Sequence, residues 1–327
     1  MLDDWSKGKV QDVFSNINMK FPNFREKFLS HLNTLDVSYQ KQLAHSFDKD
    51  IIQRCNDKQE FHDFGVGLAE CDQWYMDYFS SDDSDDDSIH KERRDHRDED
   101  YYPTALLHCC SIGDYSFVKW CCNHGVNVNR YCTYSGQSPV LTACENGHTE
   151  IVKLLLDSGA DFNHCDNQEQ SSVMKACEHG HTEIVKILLD RGTDVNTYDI
   201  MRNTSLMKAC VNGHTEIVNM LLNRGATYKC VNWLSRSPVM MACTQGHTKI
   251  VKMLLDKGED INTCYVFGES LLLYACENGR IDIVKMLLHR GADCNKCDVE
   301  GQSPLMMAVE NDHTEIKNLL LDTLGTV

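Results

Sequence analysis

Gly147-His148-Thr149-Glu150-Ile151-Val152 recurs at a step of 33 as Gly180-His181-Thr182-Glu183-Ile184-Val185, and a glycine opens the same stretch again at Gly213, Gly246 and Gly279. A second glycine column, Gly159, Gly192, Gly225, Gly258 and Gly291, keeps the same step. A fixed step of this length marks a linear array of one supersecondary unit, in which each copy buries its apolar face only against its neighbours. The array occupies nearly all of residues 104 to 327.

Each unit reads as a helix pair. Ser138-Pro139, Ser237-Pro238 and Ser303-Pro304 stand before apolar stretches. A hydroxyl that accepts from the first turn, then a proline that needs no donor, is how a helix starts. The first helix is short, spanning Pro139 to about Glu145, and ends at an Asn-Gly turn. The second carries an acidic residue in its first turn (Glu150, Glu183, Glu216), apolar residues at i, i+1, i+4 and i+5, and a glycine just past its end. A polar connection of the Asp161-Phe162-Asn163 type then leads to the next unit.

These residues closely resemble the ankyrin repeat, with its TPLH, GH, EIVKLLL, GAD and N pattern. The resemblance covers about two thirds of the chain and implies seven units, beginning near residues 104, 138, 171, 204, 237, 270 and 303. The first is degenerate, with His108-Cys109-Cys110 and Trp120-Cys121-Cys122 where later units have Thr142-Ala143-Cys144 and Leu154-Leu155-Leu156. Its connection to the second unit is one residue longer than the others. The histidine of TPLH is replaced by Leu141, Met174, Met207, Met240, Leu273 and Met306, so packing must stand in for polar ties there. Lys317 replaces the valine of Val152, Val185, Val218, Val251 and Val284, which suits a terminal unit facing water.

Residues 1–79 do not repeat. Apolar spacings around Val13-Phe14, Phe24-Phe28-Leu32, Leu43-Phe47-Ile51 and Phe61-Phe64-Leu68 suit three or four short helices, either a cap on the first unit or an independent domain. Residues 80–100 hold ten Asp/Glu against four Lys/Arg and read as a solvated, flexible linker. Ser80 and Ser84 each have an aspartate three residues on, the context favoured by kinases of the casein kinase 2 type. Asp83 to Ser88 also keeps the spacing of the DSGxxS degron in the ankyrin inhibitors of the NF-κB family, with Asp in place of its Gly.

The whole chain has 32 Lys+Arg against 49 Asp+Glu, a net charge of −17. That balance argues against a grip on nucleic acid or anionic lipid. No segment approaches the ~20 apolar residues of a membrane span, and the start lacks the apolar run of a signal peptide. A soluble protein of the cytoplasm, with the nucleus also open to it, is expected, and its 17 cysteines are expected to be reduced.

Five of these, Cys144, Cys177, Cys210, Cys243 and Cys276, form one column at the same step of 33. Packed helices lie roughly 8–10 Å apart. Column neighbours are therefore too distant to share a zinc ion or a disulfide, and read as core. The cluster His108, Cys109, Cys110, Cys121, Cys122 and His124 is the better zinc candidate, although Cys110 and Cys121 fall at core positions. His148, His181, His214, His247 and His313 open second helices in equivalent places, a repeated structural role. No catalytic motif is present, so no enzyme activity, cofactor or metal is expected.

The tips of the connections carry the functional lead. The step of 33 aligns Asn167, Ile200, Trp233, Val266 and Val299, and beside them Gln168, Met201, Leu234, Phe267 and Glu300. Ile200-Met201, Trp233-Leu234 and Val266-Phe267 thus form an apolar stripe, either exposed for a partner or folded back onto each hairpin. The turns ending at Asn163, Asn196 and Asn262 are similar to the Leu-x5-Asp-apolar-Asn pattern modified by the asparaginyl hydroxylase of ankyrin proteins, although Asp-x-Asn also has a structural reason.

The expected fold is all-α: an ankyrin-repeat solenoid of helix pairs with hairpin-like finger loops over residues 101–327, behind a small helical N-terminal region. The resemblance implies a protein-binding adaptor or scaffold, monomeric apart from its partner, using fingers and first helices centred on the fourth to sixth units. The alternative is a regulatory or inhibitory subunit whose N-terminal region carries the specific activity while the repeats target it.

Overall fold

The structure is a computed structural model that describes residues 105–132, 135–262 and 268–325. The N-terminal region, the acidic segment with Ser80 and Ser84, and the tip residues Val266 and Phe267 lie outside the described residues. The described residues form fourteen helices and no strand.

The first helices of the pairs are α1 (Ala105–Ile112), α3 (Pro139–Glu145), α5 (Ser172–His179), α7 (Ser205–Val211), α9 (Pro238–Gln245), α11 (Leu271–Glu277) and α13 (Pro304–Glu310). The second helices are α2 (Tyr115–Asn123), α4 (Thr149–Asp157), α6 (Thr182–Asp190), α8 (Thr215–Asn223), α10 (Thr248–Asp256), α12 (Ile281–His289) and α14 (Thr314–Gly325). The hydroxyl caps act as their sequence implies. Ser138, Thr204, Ser237, Ser270 and Ser303 accept from the backbone N–H three residues on, at 3.2–3.4 Å.

The chain divides between Asn167 and Gln168 into two compact parts. In the first, α1 packs on α3 and α2 on α4 around Cys110, Val118, Cys121, Leu141, Cys144, Val152 and Leu155. In the second, each first helix packs on the first helix of the next pair, and the second helices do likewise. Its core repeats one layer: Met174, Ala176, Cys177, Ile184, Val185 and Leu188, then Met207, Ala209, Cys210, Ile217, Val218 and Leu221, and so on along the array.

The Gly-His pair joins one helix pair to the next. His148 donates from Nε2 to the Ser111 carbonyl at 3.0 Å, and His214, His247 and His313 donate to those of Glu178, Val211 and Glu277 at 3.1 Å. Each of these rings lies where a Cβ on the glycine of the previous pair would stand, 2.5 Å from it for His214 against Gly180 and His247 against Gly213. Glycine there is needed twice over, for its positive φ and for the space the ring takes. Where Arg280 replaces histidine, its Nε donates to the Thr244 carbonyl at 2.8 Å.

The last pair differs. Met306 is exposed where Met207 and Met240 are buried, and Val309, Lys317 and Leu321 are exposed as well. Only Ile316 and Leu320 of α14 are buried.

Candidate partner-binding site

Three of the described tips are each closed by one side chain. The Asp199 carboxylate accepts from the backbone N–H of Met201 at 2.9 Å and of Asn203 at 2.7 Å. Asn232 does the same for Leu234 and Arg236, both at 3.0 Å, and Asp298 for Glu300 and Gln302. Closing the loop from i to i+2 and i+4 leaves residues i+1 and i+2 pointing away from the turn's own bonds. Asp199 is itself held from below by the Lys208 ammonium, 3.5 Å away, which also reaches Glu178 at 3.0 Å.

Neighbouring tips are tied to each other. The Ile200 N–H donates to the Gln168 carbonyl at 3.0 Å and the Trp233 N–H to the Met201 carbonyl at 3.1 Å. Asn232 adds a side-chain bond to Asn203 at 2.8 Å. The residue after each tip pair has a left-handed backbone: Glu169, Arg202 and Ser235 at φ 58–59°, where Gly136, Gly268 and Gly301 occupy the same column.

On this frame the described part of the stripe faces water. Ile200 is 50% exposed, Met201 43%, Trp233 64% and Leu234 60%, so these four do not fold back onto their hairpins. Trp233 is nevertheless fixed in place. Its Nε1 donates to the Ile200 carbonyl at 3.1 Å, and the Arg202 guanidinium lies 5.4 Å from its ring centre. The same guanidinium lies 5.3 Å from the centre of the Tyr198 ring, so one cation serves two aromatic faces. Tyr198 and Val231 are exposed beside them.

Arg202, Tyr198 and the Asp199/Asn232/Asp298 column were not singled out from the sequence. The column was legible, since Asp166, Asp199, Asn232 and Asp298 keep the step of 33, with Tyr265 breaking it. The stacking was not, because it depends on where two fingers meet.

The remaining candidates also take part in packing and hydrogen bonding. In the column of core cysteines, Cys177, Cys210, Cys243 and Cys276 are fully buried, and burial pushes their thiols up, to about 12 for Cys243 and Cys276. In the first pair, Cys109, Cys110 and Cys121 are buried, while His124 stacks on Trp120 and bonds its carbonyl at 2.8 Å. Among the described residues no group of three or more His, Cys, Asp or Glu is placed to hold a metal ion. Asn163, Asn196 and Asn262 each donate a backbone N–H to the aspartate two residues before, at 2.9 Å. Asn196 and Asn262 also accept from the next turn, from Thr227 at 2.8 Å and Asp293 at 3.0 Å.

Short helix pairs recurring at a fixed step, with protruding tips bonded one to the next, define a tandem-repeat interaction module. A family model described as ankyrin repeats (3 copies) matches residues 87–166, 159–232 and 239–326. The chain belongs to the ankyrin-repeat family, whose repeats are protein-interaction modules. Its match begins within the acidic segment. No curated protein matches the chain. No described helix is long and apolar enough to cross a membrane.

Proposed function

We propose that this protein is a non-enzymatic adaptor or scaffold that docks a partner protein on the fingers around residues 200 to 234, with Trp233 as the anchor. The observation that carries this reading is a tryptophan 64% exposed yet held by a hydrogen bond and a cation. A large amphipathic ring already fixed in position loses little freedom on binding, which is what an interface anchor requires. Ile200, Met201 and Leu234 extend the apolar area, and in sequence Val266 and Phe267 continue it. The first helices α9, α11 and α13 carry Met241, Tyr274 and Met307 in one column, each half-buried, as a second apolar row for the same partner. A net charge of −17 favours a protein over nucleic acid. On this reading the protein works as a monomer apart from its partner, in the cytoplasm or the nucleus.

The test replaces Trp233, Leu234 and Phe267 together by Ser, with circular dichroism to show that the helices persist. Partners captured by the natural chain should be lost from the variant. Unchanged recovery would place the binding surface elsewhere.

A further inference from the structure

Arg202 holds the least explained position on the finger face. Its column is glycine at Gly136, Gly268 and Gly301, because the backbone there is left-handed, and a side chain at that φ costs roughly 1–2 kcal/mol. No described carboxylate forms an ion pair with it. Its nearest acidic neighbour in sequence, Asp199, is committed to the Met201 and Asn203 amides and to Lys208. What Arg202 does touch is aromatic: Tyr198 at 5.3 Å and Trp233 at 5.4 Å. Arginine presents five N–H donors, and contact of its charge with two rings uses none of them in a hydrogen bond to an acceptor. The side chain is exposed, so those donors are open to a ligand.

We infer that the Tyr198, Arg202 and Trp233 cluster is a carboxylate-binding subsite, so that the partner is a protein segment placing one Asp or Glu against Arg202 and large apolar side chains on Ile200, Met201, Trp233 and Leu234. This rests on the docking reading above and specifies its chemistry. The guanidinium is planar and always charged, and its fixed fork of donors matches the two oxygens of a carboxylate. Arg202 is one cation beside the exposed apolar side chains of Ile200, Met201, Trp233 and Leu234, so a single carboxylate within an apolar segment is the complement.

Random twelve-residue peptides displayed on phage are panned against the full chain, its Arg202→Gln variant and its Trp233→Ser/Leu234→Ser variant, each checked by circular dichroism. The natural chain should enrich peptides that set Asp or Glu at a fixed distance from large apolar residues. Arg202→Gln should keep the apolar selection and lose the acidic one. A synthetic copy of an enriched peptide should bind Arg202→Gln at least about tenfold more weakly by fluorescence anisotropy, the scale of one charge-assisted hydrogen bond. Amidating its acidic residue should weaken binding to the natural chain equally, with no further loss on Arg202→Gln. Apolar peptides without acidic bias, or an acidic bias that survives Arg202→Gln, would overturn the carboxylate subsite and leave the docking surface standing. Failure to enrich apolar peptides, or enrichment indifferent to Trp233→Ser/Leu234→Ser, would overturn the docking surface itself.

Discussion

Glu169, Arg202 and Ser235 adopt a left-handed backbone that three glycines supply elsewhere in the same column. At Arg202 that strain coincides with the residue that braces the exposed tryptophan, so stability and binding should pull in opposite directions. Arg202→Gly is expected to stabilise the chain by about 1 kcal/mol in urea unfolding while weakening peptide capture. A loss of stability would show that the stacking outweighs the strain. Ser205 offers a second case. It is fully buried, its hydroxyl has no partner among the described residues, and Pro139, Pro238 and Pro304 occupy its place in other pairs. Ser205→Pro should raise stability by about 0.5–1 kcal/mol, through the freedom removed from the unfolded chain and the buried orphan oxygen removed from the folded one. Destabilisation would mean that the hydroxyl or the local backbone does something the hydrogen bonds do not reveal. The proline and hydroxyl caps were legible in the sequence because their action is local. The role of Arg202 was not, because its partners, Tyr198 and Trp233, stand on two different fingers.

Among elements, the recurrent Gly-His shows how a local reading reaches only halfway. The sequence places glycine at the end of one turn and histidine at the opening of the next helix, within one repeat. The structure shows that His148, His214, His247 and His313 each serve the glycine of the repeat before their own. Gly213→Ala would bring a Cβ to 2.5 Å from the His247 ring at φ +79°. We expect it to cost about 2 kcal/mol or more, from backbone strain and overlap together. His247→Ala should cost about 1 kcal/mol through loss of its bond to the Val211 carbonyl. The double variant should cost clearly less than the two added, since the ring that causes the overlap is gone. Strict additivity in urea unfolding would separate the two residues. Arg280 makes the same link with a different donor, which explains why one repeat dispenses with histidine.

For the whole molecule, the array multiplies each choice made in one repeat. Cys177, Cys210, Cys243 and Cys276 keep their protons well above the ordinary thiol value of 9.0 because burial disfavours the thiolate. Above pH 9 the unfolded chain releases protons that the folded chain retains, so the stability present in full below pH 9 falls as pH rises toward about 12. Melting curves between pH 8 and pH 11 should show a steeper alkaline loss for the natural chain than for Cys243→Ala/Cys276→Ala. Equal slopes would mean that other groups govern the alkaline transition. Within each described part the packing of helix pair on helix pair was readable from periodicity alone, because a step of 33 repeats one apolar layer. Whether the apolar tips face water could not be read that way. It turns on the Asp199 and Asn232 side chains, which close each loop on its own backbone and leave Ile200, Met201, Trp233 and Leu234 outside.

A partner protein docked on this finger face must lie within cross-linking reach of it. A photoreactive benzophenone amino acid is placed at Leu234 and, as a control, at Lys252, which is exposed on α10. Irradiation in cells should yield a discrete cross-linked adduct from position 234 and none from position 252. Adducts of equal yield from both positions, or from position 252 alone, would contradict the account.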